Sequence, residues 1–186
     1  MPHTVRRVLP HEYSKYRAHL KALDSESLLL RFGYQIRPEV IDTLCDGFER
    51  DPDHHILFCV ESSQLEFLAV GHIALDNDME LAFSVLKEYQ GQGLGGSLMR
   101  RCIQWCRTHN VLSGNMVCLT HNRAIRHLCA KYGIQTSSSQ GETLAEIHLD
   151  PAGPDTYFEE ALDRNIAVFD WLTKRALLPL SGRAPS

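Results

Sequence analysis

Between residues 79 and 110 the chain reads MELAFSVLKEYQGQGLGGSLMRRCIQWCRTHN, and this stretch limits the possible folds more than any other. Met79–Val85 mixes apolar and polar residues over seven positions and stops at Lys87 and Glu88, as a strand does. Glycines at 91, 93, 95 and 96 follow, and with so little side chain over a turn several backbone N–H groups can converge on one anion. Leu94, Leu98, Cys102, Trp105 and Cys106 then recur at helical spacing, with Arg100, Arg101, Gln104 and Arg107 on the other face. A helix N-terminus therefore points out of the turn, and a phosphate or pyrophosphate is the expected guest.

The known glycine-rich motifs narrow the guest. A Walker loop needs Lys followed by Ser or Thr, which this turn lacks. Gly91, Gly93 and Gly96 satisfy G-x-G-x-x-G, but a dinucleotide site also needs an acid about 20 residues on to hold the ribose. No Asp or Glu occurs from residue 89 to residue 141, which counts against a nicotinamide or flavin site. The plainer alternative is a surface turn whose glycines only cap a helix.

Gln90-Gly91-Gln92-Gly93-Leu94-Gly95 resembles the Q/R-x-x-G-x-G/A pyrophosphate loop of the GNAT family of N-acetyltransferases, and it lies between a strand and a helix as that family requires. Downstream, NRAIRHLCAKYGI from Asn122 resembles the family's N-x-x-A-x-x-L-Y-x-K-x-G-F segment. The resemblance covers about residues 3–150. It implies a mixed α/β fold with a mostly antiparallel sheet of six to seven strands flanked by helices. It also implies acetyl-CoA as cosubstrate, held by Gln90, Gly91, Gln92, Gly93, Leu94, Gly95, Gly96 and Asn122, with the pantetheine arm entering a gap beside Phe83, Ser84 and Val85.

Charge fits an anionic cosubstrate. The overall charge is −4, yet residues 89–141 carry six Lys or Arg and no acid, leaving about −10 on the remainder. The plainer alternative is that these charges only solvate two helices. Overall acidity does not support nucleic-acid binding. No run of 18 apolar residues is present and the start MPHTVRRVLPHEYSK lacks the apolar region of a secretory signal, so a cytoplasmic protein that spans no membrane is expected. The six cysteines form no C-x-x-C pair. Cys102 and Cys106 lie one helical turn apart and His109 follows, but core thiols are the expected reading, with neither disulfide nor metal.

Taken in order, residues 4–9 read as a first strand, and Pro10 opens a helix. Asp24 or Ser25 caps a short helix, and Pro38–Arg50 forms another, with Val40, Ile41, Leu44, Cys45 and Phe48 on one side. In the family these helices wall the substrate groove, and SLLLRFGY from Ser27 resembles a segment of protein-lysine acetyltransferase-like members. His55–Glu61 and residues 65–75 read as a hairpin leading into Met79–Val85. A strand at 116–120 must cross over to lie parallel. A helix over 122–132 stops at Gly133, and strands at 134–136 and 143–149 follow. DPAGP is a linker, residues 156–178 show a helical pattern that packs on the domain or on a second subunit, and SGRAPS reads as a frayed tail. The expected division is a domain over 1–150 and a linker, helix and tail over 151–186, with a homodimer as one arrangement.

The resemblance implies acetyl transfer by direct attack of an amine on the thioester, the acceptor being a small molecule or a protein lysine or N-terminus. A carboxylate acting through water is the family's usual base, and Glu80 holds a matching place; His72 and His121 are further candidates. The acid that protonates the departing thiolate is a Tyr seven residues after the Asn in the family. Here Cys129 stands there, with Tyr132 one helical turn on. That departure leaves a non-catalytic acyl-CoA-binding regulatory module as the second reading.

Overall fold

The computed structural model describes residues 3–178; the SGRAPS tail lies outside them. Of the strand expected over 4–9 only Arg6–Arg7 (β1) pairs, lying antiparallel to His55–Glu61 (β2). Pro10 ends it, because it fixes φ and opens a turn of 3-10 helix before helix α1, Tyr13–Ala22. Arg6 ties that junction down, donating to Glu61 at 2.8 Å and to Glu12 at 2.7 and 2.8 Å. Helix α2, Ser25–Phe32, begins where the Asp24 carboxylate accepts the Ser27 N–H at 2.8 Å, and it stops at Gly33 with φ +80°. Helix α3 is Pro38–Arg50.

Phe67–Ala74 (β3) and Met79–Val85 (β4) complete an antiparallel meander with β2. Helix α4 is Leu94–Thr108, β5 is Ser113–Leu119, α5 is Arg123–Lys131, β6 is Gln135–Ser139, β7 is Glu142–His148 and α6 is Pro154–Leu177. The seven strands make one sheet in the order β1-β2-β3-β4-β5-β7-β6.

Side-chain alternation divides the core. Ile56, Phe58 and Val60 pack with α4 on one face, while Leu57 and Cys59 pack with α1 and α3 on the other. Strand β2 is buried along its whole length for this reason, whereas β7 alternates buried Thr143, Ala145 and Ile147 with exposed neighbours because only one of its faces is covered. All six cysteines are buried thiols. Helix α6 lies on α4 and β1, with Arg100 and Asp163 paired at 2.7 Å, and it leaves Phe158 and Phe169 exposed.

The sheet is joined at its middle by very little. Strands β4 and β5 run parallel and pair only at Met79 with Gly114 and Glu80 with Asn115. A side chain at 114 would overlap the Met79 carbonyl and reach 2.8 Å from Met79 Cβ, so glycine is what lets the strands meet. Beyond that point β5 continues against β7 along all seven residues, and a gap opens beside the second half of β4.

Candidate active site

The gap leads into a cavity of about 700 Å³ between β4, the glycine-rich loop, α5 and α2. Gly91 and Gly93 have φ of +74° and +85°, and Gly93 is the N-cap of α4. Such backbone favours glycine, although a side chain at either position would meet no atom within 4 Å. Gly95 and Gly96 lie under α5, where an added Cβ would sit 3.4 and 3.7 Å from Leu128. The first intrahelical bond of α4 runs from Ser97 N–H to the Gly93 carbonyl, and no side chain caps the helix. The N–H groups of Leu94, Gly95 and Gly96 therefore have no acceptor among the described residues, and all three residues line the cavity.

Gln90 lines the cavity but uses its amide to hold the loop, donating to Ser27 Oγ at 3.1 Å and to the Val85 carbonyl at 3.2 Å. Gln92 lies outside the cavity lining and donates to the Glu88 carbonyl at 3.1 Å. Asn122 lines the cavity and caps α5, its side-chain oxygen accepting the Ile125 N–H at 3.2 Å.

Phe83, Ser84 and Val85 form the β4 wall. The Phe83 ring lies on Gly71, where a Cβ would be 3.1 Å from it. Ser84 is buried with its hydroxyl 2.9 Å from His19 Nε2, and His19 Nδ1 is 2.8 Å from the Phe67 carbonyl. Because that carbonyl only accepts, Nδ1 carries the proton and Nε2 accepts from Ser84. Burial pushes the His19 pKa down to about 4, so the ring stays neutral.

The structure separates the three candidate catalytic residues. Tyr132 lines the cavity and donates to the Gly96 carbonyl at 3.1 Å, which sets its phenol at the loop end, and burial raises its pKa. Cys129 is 1% exposed, lies outside the lining and has its pKa pushed up to about 11 by burial. Glu80 is exposed at the β4–β5 junction, outside the cavity lining, on the strand face it shares with Ala82 and Ser84. His72 is buried against His55, and His121 is exposed.

Sequence reasoning named no single residue of the α2 wall, although Ser27, Leu30 and Arg31 all line the cavity. The signal available was the helical spacing of Ser27 and Arg31 within a segment already singled out. Arg31, Arg100, His127 and Lys131 line the cavity, and no Asp or Glu does among the described residues.

A family model described as "Acetyltransferase (GNAT) family" matches residues 20–134, the stretch that holds the glycine loop and the parting strands β4 and β5. The chain belongs to the GNAT acetyltransferase family. Its fold is similar to the GNAT domain of S. lividans PAT, with a TM-score of 0.63 and 16% identity over 78% of this chain and 89% of that one. A GNAT-family acetyltransferase from Streptococcus pneumoniae gives 0.61 and 18%, covering 78% and 98%. The ribosomal-protein-S5-alanine acetyltransferase of Vibrio fischeri gives 0.61 and 12%, covering 83% and 97%. At such identities the likeness shows the GNAT fold, and family membership supports an acyl-CoA-dependent acyltransferase. No helix among the described residues is long and apolar enough to cross a membrane.

Proposed function

We propose that this chain is an N-acetyltransferase that moves the acetyl group of acetyl-CoA to a primary amine by direct attack. The observation that carries the reading is the continuity of one acid-free cavity, from the unpartnered N–H groups of Leu94, Gly95 and Gly96 to the gap beside Phe83, Ser84 and Val85. Those donors and the dipole of a 15-residue helix fit a pyrophosphate, and the open backbone edge of β4 fits an extended amide-bearing arm. Acetyl-CoA supplies the acetyl group as an activated thioester; binding, orientation and proton handling fall to the protein.

The attacking amine must lose a proton, and Glu80 accepts it through water, since its carboxylate lies at the strand junction and not on the cavity wall. The departing thiolate takes a proton from the Tyr132 phenol or from water. Cys129 packs in the core close by, and its raised pKa keeps it a thiol.

The buried Cys129 in the place of the family's Tyr, and the engagement of Tyr132 by Gly96, favour a second reading in which the chain binds acyl-CoA and regulates a partner without turnover. Thiol release from acetyl-CoA over a panel of amines, peptides and aminoglycosides separates them. Amine-dependent release supports the enzyme. Tight CoA binding with no release above the buffer rate for any amine supports the regulator.

A further inference from the structure

The α2 wall of the cavity carries a cation that the proposed chemistry does not use. Arg31 donates through Nη2 to Tyr16 Oη at 3.3 Å and to His72 Nδ1 at 3.2 Å. Both acceptors are buried, Tyr16 at 1% exposure and His72 at 4%. A guanidinium only donates, so His72 carries its proton on Nε2 and directs it to His55 Nδ1, 3.1 Å away. Burial, with the charge of Arg31 beside it, holds the His72 pKa well below its ordinary value. Neutral groups thus pin one corner of Arg31.

The rest of the guanidinium lies over the Phe32 ring, 4.8 Å from its centroid, and has no hydrogen-bond acceptor among the described residues. Nε is buried without an acceptor, and Nη1 makes no hydrogen bond to the described residues, while the side chain lines the cavity. No described carboxylate lies within ion-pair distance of it. Asp24 and Glu26, the acids at the opposite end of the same helix, are engaged by Lys87 at 2.7 and 3.7 Å. A half-buried guanidinium held by neutral groups and lacking a counter-ion is suited to an incoming anion, which Nη1 can meet with a charge-assisted hydrogen bond.

Position favours an anion other than the pyrophosphate. His72 pairs with Ala82, three residues back along β4 from Val85, where Gln90 fastens the loop. At about 3.3 Å per residue this sets His72, which Arg31 engages, roughly 10 Å along the sheet from the point where the loop is fastened, over the part of β4 where it leaves β5. Ser84 and its partner His19 lie beside it, and the charge of Arg31 contributes to keeping His19 neutral.

We propose that Arg31 is the receptor for a substrate carboxylate, so that the preferred acceptors are carboxylate-bearing amines of the amino-acid type. A dicarboxylic acyl group on the donor would present the same chemistry, and the test separates the two sources. The inference rests on the acyltransferase reading, and its binding arm needs no turnover.

In that arm, N-acetyl amino acids and their C-terminal amides are titrated into the CoA-loaded protein by calorimetry, alongside N-succinyl-butylamine and N-acetyl-butylamine. The acids bind more tightly than the amides by about 10- to 100-fold, the range of a charge-assisted hydrogen bond, and Arg31→Gln removes the difference while leaving CoA affinity unchanged. Arg31→Lys, which keeps the charge without the planar fork, restores part of it. If the preference appears only for the succinyl compound over its acetyl counterpart, the receptor stands and its carboxylate belongs to the acyl group. In turnover, Arg31→Gln raises KM for amino acids and leaves their amides untouched. Equal binding of acids and amides by the wild-type protein, or an acid preference that survives Arg31→Gln, overturns the proposal. Absence of turnover with every amine, beside intact carboxylate binding, would instead overturn only the acetyltransferase reading.

Discussion

Replacing Gly114 by Ala tests whether the parting of β4 and β5 depends on one close contact. The new Cβ would overlap the Met79 carbonyl and lie 2.8 Å from Met79 Cβ and Cε, where carbon pairs normally rest near 3.5–4.0 Å. The Cε end can swing away, but the carbonyl and Cβ belong to backbone next to Glu80, which is held by its pairing with Ala74 of β3. The strands must therefore separate by about 1 Å, and only the pairs Met79–Gly114 and Glu80–Asn115 join them. Overpacking costs about 1–3 kcal/mol, and the rigidity of this site places it at the upper end. For a chain of this size about 3 kcal/mol lowers Tm by roughly 6–12 °C. Gly47→Ala is the matched control: it lies inside α3 with nothing within 4 Å of an added Cβ, so it should stabilise by about 0.5–1 kcal/mol. Differential scanning calorimetry reads both, and thiol release should fall by about 10²-fold in Gly114→Ala, as for an ångström-scale misplacement of reacting groups. Melting of Gly114→Ala within 2 °C of wild type, with unchanged turnover, would refute the reasoning.

Four further outcomes follow from the site. Gly93→Asp should abolish CoA binding while the fold persists, because the carboxylate would face the free N–H groups at the start of α4; wild-type affinity by calorimetry would remove the loop from the site. Glu80→Gln should lower turnover by about 10²-fold or more with CoA affinity nearly constant, and unaltered rates from pH 6 to 9 would exclude it as the base. Cys129→Ala should retain most activity and Tyr132→Phe lose part of it; loss of turnover in Cys129→Ala, with an acetylated cysteine detected in the wild type by mass spectrometry, would replace direct attack by a covalent route. His19, held near 4, and His72, held well below its ordinary value, are neutral in the fold and titrate near 6.5 when unfolded. Their contribution is therefore complete above about pH 6.5 and is lost as pH falls toward 4, about 3 kcal/mol for His19 alone, and a Tm that stays flat from pH 7 to 5 would contradict it.

Much of the fold was legible where local pattern and tertiary burial agree. Pro38–Arg50, His55–Glu61 and Met79–Val85 have the bounds their patterns suggest. The first strand shrank to Arg6–Arg7 because Pro10 ends the pairing early. Strand β6 shifted to Gln135–Ser139, where exposed serines are held in register by β7 and by no apolar signal of their own. The glycine loop could be read because its chemistry is local. The α2 wall could not, since Arg31 reaches the cavity only through Tyr16 and His72, 15 and 41 residues away in the chain. Nor does any local pattern show that Gln90 braces the loop with its side chain while the backbone is left for the anion.

The central claim is that one cavity binds acetyl-CoA and delivers its acetyl group to an amine. Incubating the protein with acetyl-CoA and the amine panel, and following free thiol and acetylated amine together by mass spectrometry, tests it most directly. The account predicts equal amounts of the two products, dependent on the amine and absent in Gly93→Asp. Thiol release without an acetylated amine, or product formation that persists in Gly93→Asp, would contradict it.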